Sequence, residues 1–281
     1  MKFLRFGPAG AERPGLEDAQ GRLRDLSGVV PDFSGAVLGK LATLAQTTDP
    51  EELPLVEGAQ RLGPCVGGVG KFIGIGLNYS DHAAETGAKP PEEPIVFMKA
   101  TSAISGPNDP IILPRGSQKT DWEVELGVVI GRAAKYVTPQ DALAHVAGYC
   151  VVNDVSERAF QTERGGQWTK GKSCDSFGPL GPWLVPPQMA GDPQKMTLTL
   201  SVNGALRQQG STERMIFPVA TLISYLSQMM TLWPGDVIAT GTPPGVGLGM
   251  RPQQFLRPGD VVELSIDGLG TQRQEVIADP G

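Results

Sequence analysis

The sequence predicts a mainly β protein with interspersed helices, an α+β chain. Two observations carry that prediction. The 281 residues include 37 Gly and 25 Pro without a low-complexity tract, which asks for many turns and short strands. Short apolar runs closed by Gly, Asn or Asp recur along the chain, some of them joined by tight-turn signals such as Asn203-Gly204. A hydrophobic content of 40% and a charged content of 19% belong to a globular chain with room for a large core.

Taken in order, residues 1–68 read as a small α+β unit: a strand over 2–6, a hairpin over 15–26 turning at 18–21, and a short helix over 34–44. The stretch 48–70, rich in Pro, Gly and charge, is the expected boundary, leaving 69–281 as the larger domain. Residues 71–77 form a core strand leading into a short helix, capped by Ser80 or Asp81 and stopped by Gly87. His82 and Glu85 stand at i and i+3 on that helix, and a marginal helix between loops suits a lid. Gly74 and Gly76 do not complete a G-x-G-x-x-G fingerprint, because Tyr79 holds the last position, so a dinucleotide site is rejected.

The strand over 94–99 ends in Lys99. The apolar run 126–130 is a buried strand, and just ahead of it stand Glu123 and Glu125. Side chains alternate along a strand, so these two carboxylates share a face with Val124 opposite. A second strand, 147–152, ends in Asn153-Asp154 and offers a third carboxylate. Buried together, three carboxylates need a compensating cation, and an all-oxygen set suits Mg2+ or Mn2+. The competing reading is a solvated sheet face paired with Lys or Arg.

Beyond it come a helix over 156–165 carrying Arg158 and Gln161, and a loop over 168–179 carrying Lys170 and Lys172. A hairpin turns at Asn203-Gly204, and a helix over 218–232 starts at Pro218. A strand over 236–240 enters the loop 241–247, and a last hairpin turns at 267–270. His145, among Ala144, Val146 and Ala147, is taken as structural.

Charge and cysteine usage exclude several classes. With 24 basic and 30 acidic residues the net charge is −6, which leaves no basic footprint for nucleic acid. An anionic substrate then needs local Lys, Arg or metal to hold it. Cys65, Cys150 and Cys174 lie far apart outside any C-x-x-C spacing, as expected of free thiols. No apolar leader run opens the sequence, and the most apolar helical stretch carries Thr, Ser and Gln and is too short to span a bilayer. A cytoplasmic protein without membrane partners is expected, in which the Asn78-Tyr79-Ser80 sequon carries no glycan.

One set of motifs, in order over roughly residues 70–276, is more specific than any of its parts. It comprises Gly76-Leu77-Asn78-Tyr79 with Asp81-His82, Phe97-Met98-Lys99, the run 122–131, Asn153-Asp154, Trp168-Thr169-x-x-Lys172-Ser173 and the loop 241–247. This set resembles the fumarylacetoacetate hydrolase family, and the first 68 residues together with residues 165–175 are similar to a bacterial subgroup that includes 2,4-diketo-3-deoxy-L-rhamnonate or -fuconate hydrolases, often labelled ureidoglycolate lyase. The resemblance implies a mixed β-roll or β-sandwich core, usually a homodimer, with Mg2+ or Mn2+ in an acidic pocket. It implies Glu123, Glu125 and Asp154 as metal ligands, His82 and Glu85 as a water-activating dyad, and Lys172 as the stabiliser of a developing enolate. Arg158, Gln161, Thr242 and Lys99 fall on the substrate side. The activity so implied is hydrolysis of a C–C bond in a 2,4-diketo acid, giving pyruvate and a second acid. A keto-acid decarboxylase or tautomerase on the same scaffold, and a metal-dependent binding protein without turnover, stand as alternatives. Taken singly the residues have plainer readings: His82 and Glu85 as a surface pair, Lys99 as a strand-end side chain with a solvated tip, Arg158 as the partner of a nearby carboxylate.

Overall fold

A computed structural model of the chain describes residues 1–81 and 89–281. Two large sheets dominate the described residues. The larger has eleven strands, with the path Leu23–Asp25, Arg13–Glu17, Lys2–Phe6, Gly178–Val185, Val146–Asn153, Val124–Ile130, Val237–Ala239, Phe72–Gly76, Ile95–Lys99. Two short strands, Leu62–Gly63 and Ile104–Ser105, pair alongside that path. The other sheet has five strands in the order Ala205–Ser211, Thr197–Val202, Val261–Ile266, Gly270–Ala278, Ile111–Leu113.

Val124–Ile130 lies inside the larger sheet, antiparallel to both neighbours and buried at every position. Its alternating side chains feed two cores. Leu126, Val128 and Ile130 join a core with Leu198, Leu200 and Leu264 of the five-stranded sheet and Leu222 and Leu226 of the helix Val219–Met229. Val129 joins a second core with Phe3, Leu16, Phe33, Phe72 and Val152. A strand covered on both faces offers no solvated side, so the reading of Glu123 and Glu125 as an exposed acidic face fails. Buried amides stitch the sheets together: Gln208 Oε1 accepts from the Val124 N–H at 3.0 Å, and Gln272 Nε2 donates to the Val151 carbonyl at 2.8 Å.

The apolar side chains of residues 1–68 share a core with the larger part. The strand Lys2–Phe6 pairs with Gly178–Val185, Phe3 standing opposite Leu184, and Phe3, Leu16 and Phe33 pack on Val129 and Val152 of the larger part. The apolar side chains of the segment cover the face of the sheet that Val129 and Val152 present. The helix expected over 34–44 is a 3₁₀ turn, Gly35–Lys40, continued as Leu41–Thr47. The loop expected over 168–179 contains the helical turn Thr169–Lys172, and the helix over 156–165 shortens to Arg158–Thr162. The other hairpins and the helix after Pro218 stand as expected.

The cysteines form no disulfide, and among the described residues no helix is long and apolar enough to cross a membrane. His145 ends the turn Leu143–His145 with Nδ1 3.4 Å from the Arg132 carbonyl oxygen, a structural position. Asn78, the sequon asparagine, is fully buried and its side chain is engaged by Phe217 and Thr240.

The shared core makes a prediction. A chain comprising residues 69–281 alone loses cooperative urea unfolding and binds a hydrophobic dye in buffer. A sharp transition with native near-ultraviolet dichroism in that fragment contradicts the shared-core reading.

Candidate metal centre and pocket

Antiparallel register assembles the three carboxylates. Val124 pairs with Asn153, which brings Asp154, just past its strand, against Glu123, just ahead of its own. The Asp154 N–H donates to the Glu123 carbonyl at 2.9 Å and ties the two together. Glu125 follows on the same face as Glu123. One carboxylate oxygen from each of Glu123, Glu125 and Asp154 lies within 4.8 Å of the others, and all three residues are buried.

Three cations surround this cluster. Lys172 Nζ donates to Glu123 Oε2 at 2.6 Å and to Asp154 Oδ2 at 2.7 Å. Lys99 holds the other oxygen of Asp154 and also donates to the Val155 carbonyl at 3.3 Å. Arg158 spans Glu123 Oε1 at 2.7 Å and Asp121 Oδ2 at 2.8 Å, and its Nη1 donates to Gln161 Oε1 at 3.1 Å. The turn that carries Lys172 is fixed at both ends to the strand Ile95–Lys99. Thr169 Oγ1 donates to the Met98 carbonyl at 2.8 Å, and Ser173 Oγ accepts from the Ala100 N–H at 2.8 Å. Gly171 lets the turn close on the helix Arg158–Thr162, because a Cβ there stands 2.4 Å from the Glu157 carbonyl oxygen. The wording Thr169-Lys170-Gly171-Lys172-Ser173 is thus a mount for one ammonium.

The charges do not balance among the described residues. Asp121, Glu123, Glu125 and Asp154 face Lys99, Arg158 and Lys172, and Glu125 is the carboxylate left over. Among the described residues its carboxylate accepts from the Gly241 N–H at 2.8 Å. Burial, then the neighbouring Asp154 and Glu123, push the Glu125 carboxyl well above the ordinary range. Burial pushes Glu123 the same way, but Lys172 and Arg158 outweigh it and hold its pKa down to about 2. Burial also lowers Lys99, the like charge of Lys172 adding to it against Asp154. A divalent cation among the three carboxylates would supply what Glu125 lacks, and an oxygen-only donor set of this spacing fits Mg2+ or Mn2+.

Beside the cluster opens a cavity of about 240 Å³, and Glu123, Glu125, Arg158, Gln161, Lys172 and Thr242 all line it. The structure therefore brings together six of the expected site residues at one pocket. Thr242 Oγ1 donates to the Val124 carbonyl at 2.9 Å and accepts from Gln208 Nε2 at 2.8 Å, so its hydroxyl is largely committed to the scaffold. Lys99 is placed differently from expectation: it is fully buried behind Asp154, does not line the cavity, and has no solvated tip. It meets Asp154 rather than the cavity, because the last residue of its strand points into the carboxylate cluster. His82 and Glu85 lie outside the described residues.

Asp121 had no role in the sequence reading. Fully buried, it accepts from Arg158 and from the Gly247 and Leu248 N–H groups at 2.7 and 3.0 Å, joining the guanidinium to the loop beyond Gly241. The signal was its spacing: Asp121, Glu123 and Glu125 alternate along one segment.

The leftover charge on Glu125 has a measurable consequence. Its folded pKa is raised, so its stabilising contribution is complete below the unfolded value and is lost as pH rises through the folded one. At neutral pH in chelator the unmodified chain bears that loss. Glu125→Gln therefore raises Tm in chelator by about 2 °C or more, and Mn2+, which stabilises the parent, gives the variant little further gain. A variant that melts below the parent in chelator, or gains as much from Mn2+, contradicts this assignment.

Comparison with known proteins agrees with the fold. Residues 71–277 match the family described as fumarylacetoacetate (FAA) hydrolase C-terminal. A Burkholderia lata protein named only provisionally as a hydrolase is 61% identical over 277 residues, 98% of either chain. Among solved structures, a fumarylacetoacetate hydrolase from Exiguobacterium antarcticum superposes with a TM-score of 0.86 at 38% identity, covering 99% of this chain and 100% of the other. A probable 2-hydroxyhepta-2,4-diene-1,7-dioate isomerase from Mycobacterium abscessus gives 0.84 at 32% identity, with full coverage of both. Maleylpyruvate hydrolase from Sphingobium sp. SYK-6, in complex with manganese(II) and pyruvate, gives 0.82 at 27% identity over 99% of each chain. With the matched segment spanning most of its length, the chain belongs to the fumarylacetoacetate hydrolase family.

Proposed function

We propose that the protein is a divalent-metal-dependent hydrolase of an acylpyruvate, a 2,4-diketo acid cleaved at its C3–C4 bond to pyruvate and a second acid. The observation that carries this reading is the buried Glu123–Glu125–Asp154 cluster beside Lys172 and Arg158, opening on a pocket. The manganese and pyruvate in the maleylpyruvate hydrolase neighbour support it by analogy. Mg2+ or Mn2+ held by the three carboxylates supplies a template and Lewis acidity for the 2-keto acid end.

The chain's own groups then divide the work. Glu85, oriented by His82, takes a proton from water attacking the C4 carbonyl. As the C3–C4 bond breaks, its electron pair passes to the pyruvate half, and C3 is then protonated to give the methyl group of pyruvate. The Lys172 ammonium, its charge kept by Asp154 and Glu123 against the cost of burial, faces the negative charge that develops there. Arg158, clamped by Asp121, gives a second fixed positive charge for the substrate carboxylate. The dyad assignment rests on the His82-x-x-Glu85 spacing within the family motif.

The isomerase neighbour favours a second reading, keto–enol or double-bond migration in a related acid, which needs enolate stabilisation but no attacking water. Two measurements separate the readings. Pyruvate release from 2,4-diketo acids is expected with Mg2+ or Mn2+ and disappears with chelator, and Lys172→Met lowers kcat by about 10²–10³. Glu85→Gln lowers hydrolysis by about 10²–10⁴. Retained isomerisation in that variant, with no pyruvate from the parent, moves the assignment to the isomerase. Pyruvate release undiminished by chelator removes the metal from the account.

A further inference from the structure

The pocket is chemically divided. Its charged end is Glu123, Glu125, Arg158 and Lys172; its remaining walls among the described residues are chiefly Ile75, Leu77, Phe97, Trp168, Val246 and Leu248. The aromatic pair is a fixed surface. Phe97 and Trp168 meet with ring centroids 5.5 Å apart, tilted by 55°, and Lys172 Nζ lies 5.1 Å from the Phe97 ring centre, at the seam between charged and apolar parts. Gly76 opens the seat for the indole: a Cβ there stands 2.4 Å from Trp168 Cζ3. The loop that brings Val246 and Leu248 to the same pocket is held as well, because Asp121 accepts from the Gly247 and Leu248 N–H groups.

We infer that the acyl half of the substrate is a hydrocarbon group, aromatic or alkyl, seated between Trp168, Phe97 and Leu248, and not a polyhydroxylated chain. This rests on the acylpyruvate reading and departs from the sugar acid that the sequence resemblance suggests. Hydroxyl groups set against the aliphatic side chains and the Phe97 ring of these walls give up water and find no partner in them. Among the described residues the polar side chains nearby are partly engaged: Gln161 Oε1 with Arg158, Thr162 Oγ1 with the Arg158 carbonyl, and Thr242 Oγ1 with Val124 and Gln208, which leaves the Gln161 amide N–H groups outside these bonds. A hydrocarbon acyl group loses nothing there and removes apolar area from water on both sides.

The test uses 2-keto acids without a 4-keto group, which bind without hydrolytic cleavage. Calorimetry on the full-length protein with Mn2+ compares 2-oxo-4-phenylbutanoate, pyruvate and 2-keto-3-deoxygluconate. The phenyl compound is expected to bind about tenfold or more tightly than either of the others. Trp168→Ala removes that advantage while leaving pyruvate affinity within about twofold. Leu248→Asn, elsewhere in the pocket lining, reduces the advantage without removing an aromatic side chain. Equal or tighter binding of the hydroxylated acid, no binding of the phenyl compound, or an advantage that survives both variants overturns the inference. Pyruvate release from benzoylpyruvate is measured separately. Tight phenyl binding without that release defeats the hydrolase reading and leaves the pocket assignment in place, whereas release with a preference for hydroxylated acids does the reverse.

Discussion

Three carboxylates removed from water at the ends of two paired strands set the terms for the rest of the site. Glu123, Glu125 and Asp154 cannot all be ionised there without positive charge within a few ångströms. Lys99, Lys172 and Arg158 meet most of that demand, each delivered by a different segment. The turn fixed by Thr169 and Ser173, the closeness permitted by Gly171, and the clamp of Asp121 on Arg158 all serve to fix these charges. What they leave unmet is centred on Glu125, and that deficit is what a divalent ion fits.

The two-sided burial of Val124–Ile130 is what makes this electrostatic arrangement possible. Were one face open to water, the same residues would form an ordinary hydrated acidic edge with little effect on any pKa. The second sheet covers one face and the amino-terminal segment the other, so residues far from the pocket keep its dielectric low. The amino-terminal strands thereby bear on the chemistry without contributing a side chain to it.

Much of this was legible in the sequence because it depends on short-range rules. Alternation along a strand placed Glu123 and Glu125 on one face, and the strand-end position of Asp154 supplied the third oxygen donor. Arg158 as partner of a nearby carboxylate was foreseen as the plainer alternative, and it is what the structure shows, with Arg158 also lining the pocket. Long-range packing was not legible. Nothing local in 1–68 reveals that Phe3 will stand against Leu184, so the segment read as independent. Lys99 read as a solvated or substrate-facing tip because its strand end was visible and the carboxylate waiting there was not. The apolar wall built by Trp168 with Ile75, Leu77, Val246 and Leu248 comes from segments distant in sequence, and so the acyl preference emerged only with the fold.

The central claim is that Glu123, Glu125 and Asp154 jointly hold a divalent cation. Anomalous diffraction from crystals of the full-length protein soaked in Mn2+ addresses it directly. The account predicts one strong peak within coordination distance, about 2.0–2.4 Å, of an oxygen from each of the three carboxylates, with Lys172 Nζ displaced from between Glu123 and Asp154. A difference map with the ammonium still bridging those two residues, and manganese elsewhere or absent, contradicts it.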